Sequence, residues 1–170
     1  MSAEGRAKVL IKVTLLAAAV TVAGLDQITK AIARSSLASG GIAVMPGWLD
    51  LQLSENSGGA FGLFSGGRVV FLAAVSVLVI GVLATMGRIE RRSTALALGI
   101  LLGGALGNAI DRIFADGGFV TDFIRFRWWP SFNVADIGIV VGSFLVALII
   151  WRRPVERTDP VPVTETEAGP

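Results

Sequence analysis

The chain of 170 residues contains no cysteine, no histidine and no tyrosine. Without cysteine there is no thiol nucleophile, no disulfide and no thiolate-held metal. Without histidine, the Ser-His-Asp arrangement and most zinc sites are excluded. Without tyrosine, no phenol can act as an acid. Charge is also scarce, with only 16% of residues charged against 53% hydrophobic. A soluble domain of this size could not hide so much apolar surface, so composition points to a chain embedded in a membrane. Proton chemistry, if there is any, falls to Asp, Glu, Lys or water.

Four apolar stretches are long enough to cross the ~30 Å hydrocarbon layer as helices of ~20 residues. They run from about 9 to 25, 69 to 87, 93 to 110 and 132 to 151. The first carries Lys12 near its start, where a long side chain can reach the interface. Its length favours a retained anchor over a cleaved leader. The fourth carries Asp136 as its only charge.

Basic residues assign the two sides. Arg6, Lys8 and Lys12 precede or open the first span, Arg88, Arg91 and Arg92 lie in the short turn between the second and third, and Arg152, Arg153 and Arg157 follow the fourth. The positive-inside rule then puts both termini in the cytoplasm. The connections from Asp26 to Arg68 and from Asp111 to Ala135 fall on the outer face. In the first of these, Leu49, Leu51 and Leu53 alternate with Asp50, Gln52 and Ser54, the period of a half-buried strand. Gly58 and Gly59 suit a turn before the apolar Ala60 to Phe64. The second connection holds Phe119, Val120, Phe123, Ile124 and Phe126, suited to a partner strand, with Trp128 and Trp129 as interfacial anchors. Residues 154–170, rich in Pro, Thr and Glu, read as a disordered cytoplasmic tail behind a single membrane domain spanning 1–153. No internal repeat, phosphate-binding glycine loop or basic nucleic-acid patch is present.

The expected fold class is therefore an all-α membrane protein with a small β element. Its acids gather at the outer rim. Asp136 could simply cap the fourth helix, as could Asn133, or it could be a working carboxylate at membrane depth, where ionisable groups are costly. Asp122 could pair with Arg125 or Arg127, or it could meet Asp136. Two carboxylates in one small site cannot both ionise cheaply, so one proton is retained and a water between them becomes a nucleophile. Asp26 and Lys30 have the i,i+4 spacing of a helical ion pair. Asn108 and Asp111 share a helix face, Arg112 points elsewhere and can brace the acids or a substrate carbonyl, and Asp50, Glu55 and Asp116 read as solvated loop charges. A transporter would instead place charges in mid-span or show repeated broken helices. A scaffold would make the acids incidental ion pairs, and a Ser-Lys protease on Lys30 finds no obvious serine.

The fragments "LDQITK", "ENSGGAFGLF", "GGALGNAIDR", "GGFVTDF" and "FNVADIGI", in this order from Leu25 to Gly142, resemble the lipoprotein signal peptidases, or signal peptidase II. The resemblance implies four transmembrane helices with an outer, membrane-surface β-cradle. It implies a bacterial enzyme of the cytoplasmic membrane that removes the signal peptide of a prolipoprotein before a diacylglyceryl-modified cysteine. The catalytic pair would be Asp122 and Asp136, supported by Asp26, Lys30, Asn56, Asn108, Asp111, Arg112 and Asn133. No metal or other cofactor is expected. The expected partners are the lipidated substrate and membrane lipids, with no nucleic acid, and the enzyme would be monomeric.

Overall fold

A computed structural model describes residues 2–57 and 67–152. In chain order its elements are α1 (Ala3–Ser36), β1 (Ile42–Met45), β2 (Leu49–Asn56), α2 (Gly67–Thr85), α3 (Arg92–Phe114), β3 (Val120–Phe126) and α4 (Val134–Trp151). Short 3-10 turns follow α2 at Met86–Arg88 and α3 at Asp116–Gly118. All four α-helices are long and apolar enough to cross a membrane. The turn expected at Gly58 and Gly59, the run Ala60 to Phe64, and the tail with Arg153 and Arg157 lie outside the described residues.

The first span is longer than its hydropathy indicates. Ser2 caps α1 by accepting the Gly5 N–H, and the helix continues for 34 residues to Ser36. At 1.5 Å per residue this is ~50 Å, well beyond the hydrocarbon thickness. The apolar run ends at Leu25, yet the helix does not, because Asp26 and Lys30 are buried against protein. Hydropathy marks where a helix meets lipid, not where its hydrogen bonding stops. The same holds for α3, which passes through Asp111 and Arg112 before ending at Phe114. The fourth helix starts slightly later than expected, at Val134, with Asn133 as its cap.

Glycine sets the distance between helices. A side chain built on Gly99 or Gly103 would strike the α1 backbone at Leu15 or Ala19, and one on Gly107 would strike the Asp26 carboxylate. On a different face of α3, Gly104 lies against the backbone of Ala135 and Gly138, while Gly142 of α4 lies against Leu101. Thus α3 is the central helix, running parallel to α1 and antiparallel to α4. Small residues let backbones approach closely where apolar burial alone gives little drive, since lipid is as apolar as the interface. The remaining helix, α2, rests on Ala95, Leu102, Ala105 and Ala109 through Val75 and Val82.

The strands form one antiparallel sheet in the order β1-β2-β3. The alternation read between Leu49 and Leu53 is β2, extended to Asn56, and its expected partner is β3. Strand β1, paired as Ile42 to Leu51, was not anticipated. Leu51 and Leu53 pack with Phe123 and Ile124 over Ala33 and Leu37 at the end of α1. Asp50 and Glu55 lie in β2 instead of a loop, and Asp50 pairs with Arg125 at 3.4 Å. In register, Ser54 faces Asp122 and Asn56 faces Val120. The chain then turns back after β3. Phe132 exchanges two backbone hydrogen bonds with Ile124, at 3.0 and 2.9 Å, which delivers Asn133 and α4 beside Asp122.

Helix spacing can be tested directly. Gly104→Val should separate α3 from α4 and lower the melting temperature of the detergent-purified protein by several degrees. Gly81→Ala, where a methyl would meet nothing within 4 Å, should leave it unchanged or raised.

Candidate active site

The site begins with a buried cation. Lys30, fully buried on α1, donates to Asp26 at 2.7 Å, to Asp111 at 3.0 Å and to the Asn108 side-chain oxygen at 3.0 Å. An ammonium has three protons and no acceptor, so these three bonds satisfy it completely. The spare lone pairs of its partners are also used. Asp26 accepts the Ala135 backbone N–H at 2.9 Å, linking α1 to the first turn of α4. Asp111 accepts from Gln27 at 3.1 Å and from the Thr121 backbone at 3.1 Å, linking α3 to β3. Four elements therefore meet around one lysine. The i,i+4 ion pair expected of Asp26 and Lys30 is present, but at the centre of the protein and not on a helix surface.

Lys30 also fixes the orientation of an amide. The Asn108 oxygen receives Lys30 and, at 3.1 Å, the Asn133 side-chain amide, both of them donors. Its nitrogen must then point the other way, and it donates to Asp136 at 2.7 Å. Asn133 completes the arrangement. Its side-chain nitrogen donates to Asp122 at 2.6 Å while its backbone N–H donates to Asp136 at 3.1 Å. One residue thus holds both carboxylates. The Asn133 oxygen in turn accepts the Asp136 backbone N–H at 3.0 Å, closing a capping box at the start of α4. The capping and the functional readings of Asp136 are compatible, because both arise from the same pair of side chains. The other Asp122 oxygen accepts from Asn56 of β2 at 3.0 Å.

Asp122 forms no ion pair with Arg125 or Arg127; Arg125 is engaged by Asp50, and the Arg127 guanidinium lies over the Trp128 ring at 4.8 Å. Arg112 is buried, with its guanidinium 3.9 Å above the Phe71 ring of α2 and one nitrogen 3.4 Å from the Asn108 backbone oxygen. It is close enough to feel the charges of Asp136, Asp122 and Asp111, but it hydrogen-bonds none of them among the described residues. Its Nε is buried without a partner among those residues. All nine residues singled out in the sequence converge here. Gln27 and the Thr121 backbone were missed: Gln27 stands beside Asp26 in "LDQITK", and no spacing rule distinguishes it from a solvated helix residue.

Burial pushes the Asp122 carboxyl up from its ordinary 3.8 to about 6. The nearby Asp136 charge acts in the same direction, while the Asn56 and Asn133 amides and the more distant Lys30 act against it. Two carboxylates bridged by one residue, in a setting that favours keeping a proton, can hold and polarise a water.

A four-helix membrane bundle carrying a three-stranded sheet at one end, with this polar cluster between them, is the architecture of a membrane enzyme. Two solved structures share it, each described as a bacterial membrane enzyme determined by the in meso method. One, at 1.9 Å resolution, superposes with a TM-score of 0.73 and 28% identity over 83% of this chain and 94% of its own. The other, at 2.3 Å, gives 0.69 and 27% over 84% and 94%. Residues 18–152 match the family model described as Signal peptidase (SPase) II. A lipoprotein signal peptidase from Symbiobacterium thermophilum is 40% identical, over 82% of this chain and 93% of its own length. Another from Mycobacterium leprae is 37% identical over 79% and 70%. The chain belongs to the signal peptidase II family, a family of peptidases, and is a multi-pass membrane protein.

Two outcomes test this geometry. Lys30→Met leaves Asp26 and Asp111 buried without their cation, a change that costs about 3–5 kcal/mol, and should lower thermal stability more than Lys8→Met at the exposed Glu4 pair. The second concerns pH. Folded Asp122 binds its proton more tightly than the unfolded chain does, so its contribution favours the fold below pH 3.8 and is lost as pH rises through about 6. The melting temperature of the wild type relative to Asp122→Asn should therefore fall across that interval, and a flat difference would contradict the assignment.

Proposed function

We propose that this protein is an aspartyl endopeptidase that removes the signal peptide from diacylglyceryl-modified prolipoproteins, cleaving just before the lipidated cysteine. The observation that carries the reading is the Asn133 bridge, which donates to Asp122 and to Asp136 from one residue. Curated relatives at 37–40% identity bear the name lipoprotein signal peptidase, which supports the substrate class.

In the proposed reaction the lipid-modified substrate enters laterally from the bilayer, and its acyl chains stay there. A water lies between Asp122 and Asp136. One carboxylate removes a proton as the water oxygen bonds to the scissile carbonyl carbon. The other donates its proton toward the carbonyl oxygen, and the carbon–nitrogen bond breaks as the leaving amine takes up a proton. The pair titrates as a unit and ends as it began, with one proton between two groups. Asn56, Asn108 and Asn133 hold the carboxylates, Lys30, itself held by Asp26 and Asp111, holds Asn108, and Arg112 would brace the acids or a substrate carbonyl.

Orientation follows from charge. Arg6, Lys8, Arg88, Arg91 and Arg92 belong to the start of α1 and the α2–α3 turn, the end of the bundle away from the dyad. Both termini would then be cytoplasmic and the site would face outward. The protein would act as a monomer, as one membrane domain with a cytoplasmic tail.

The test is to purify Asp122→Asn and Asp136→Asn separately and assay a diacylglyceryl-modified prolipoprotein peptide in detergent. Each should lose about 10²–10⁴-fold in kcat, the usual worth of a positioned acid or base, while still binding the peptide. Near-normal turnover by either variant would rule out the two-carboxylate mechanism.

A further inference from the structure

A cavity of about 590 Å³ lies away from Asp122 and Asp136, between the end of α2, the 3-10 turn after it and the first turns of α3. Arg88, Glu90, Arg91 and Thr94 line it together with the apolar Ile89 and Leu98. Among the described residues neither guanidinium forms an ion pair or a hydrogen bond, and the Thr94 hydroxyl is also unengaged. This contrasts with the other end of the bundle, where Lys30 is fully paired and Arg125 faces Asp50. Two arginines against one glutamate leave the cavity with one net positive charge. Its lining combines charged and polar side chains with apolar ones, the profile of a site for a molecule with an anionic head and a hydrocarbon body.

We propose that this cavity seats an anionic glycerophospholipid such as phosphatidylglycerol, its phosphodiester held by Arg88 and Arg91 and its acyl chains leaving over Ile89 and Leu98. A guanidinium offers parallel N–H donors that match phosphate oxygens, and basic pockets between transmembrane helices are suited to anionic headgroups. A single phosphodiester neutralises the net charge of the lining. Phosphatidylcholine does not, because its trimethylammonium already cancels the charge of its phosphodiester. The lipid also supplies contacts that α2 lacks. Of its 19 residues only Val75 and Val82 are buried. A headgroup bridging Arg88, just beyond α2, to Arg91 and Thr94 at the start of α3 adds a tie to the least buried of the four helices.

The experiment uses the full chain in detergent, with phosphatidylglycerol, phosphatidylcholine or inorganic phosphate added, read by native mass spectrometry and by thermal melting. Phosphatidylglycerol should be retained at about tenfold lower concentration than phosphatidylcholine, a preference of ~1.4 kcal/mol, and should raise the melting temperature. Arg88→Gln with Arg91→Gln should abolish that preference and that stabilisation, whereas Arg125→Gln should leave both intact. Both cavity arginines are exposed, so the double variant is expected to fold. Equal retention of the two lipids by the wild type, or an unchanged preference in the double variant, would overturn the proposal. Inorganic phosphate protecting as well as the lipid would also overturn it, by making this a free-anion site. No substrate is involved, so the result stands apart from the proteolytic reading.

Discussion

A protonated lysine with no access to water imposes conditions on everything near it. Lys30 is tolerable in the interior only because Asp26, Asp111 and Asn108 take up its three protons. Those partners have further lone pairs, and these draw in the first turn of α4 through Ala135, β3 through Thr121, and Asn133 through the Asn108 oxygen. The Asn108 amide can point its nitrogen at Asp136 only because both donors occupy its oxygen side. Charge placement on the first helix thus determines hydrogen-bond polarity at a carboxylate on the last. A buried ion pair is often a poor source of net stability. Here its consequence is geometric, since a neutral core of equal volume would remove one of the two donors that fix the Asn108 amide.

The glycines of α3 make that network possible. Gly107 lies directly against the Asp26 carboxylate, and Gly104 lies against the α4 backbone near Ala135. A side chain at either place would push α1 or α4 outward, and the 2.9 Å contact between Asp26 and Ala135 would be lost. Packing and polar chemistry are therefore not separable in this bundle. Close backbone approach brings buried polar groups within reach of one another, and those groups in turn fill lone pairs that no water reaches.

Much of this was legible in the sequence, and the parts that were not share a cause. Four spans, the β2 strand and the convergence of nine polar residues follow from hydropathy, alternation and the resemblance of five ordered fragments. The length of α1 did not, because hydropathy falls at Asp26 and cannot report that Asp26 and Lys30 are solvated by other helices. Strand β1 was missed because Ile42–Met45 is short and exposed, with no alternation to mark it. Gln27 was missed because its partners, Gly107 and Asp111, are some eighty residues away in sequence. Its role exists only once α1 and α3 are parallel. Asp136 was left open between cap and functional acid; the structure shows the cap with Asn133, whose side chain also reaches Asp122, so the cap does not exclude the second reading.

The bond from the Ala135 N–H to Asp26 has a bearing on biogenesis. Asp26 lies on α1 and Ala135 on α4, so the acceptor leaves the ribosome well before its donor. Until α4 is inserted, one oxygen of that early carboxylate lacks its partner, and Asn133 and Asp136 are not yet in place. A nascent chain that has made only α1, α2 and α3 therefore holds the Lys30 cluster without the α4 contacts that complete it. The polar network closes only when α4 is in place.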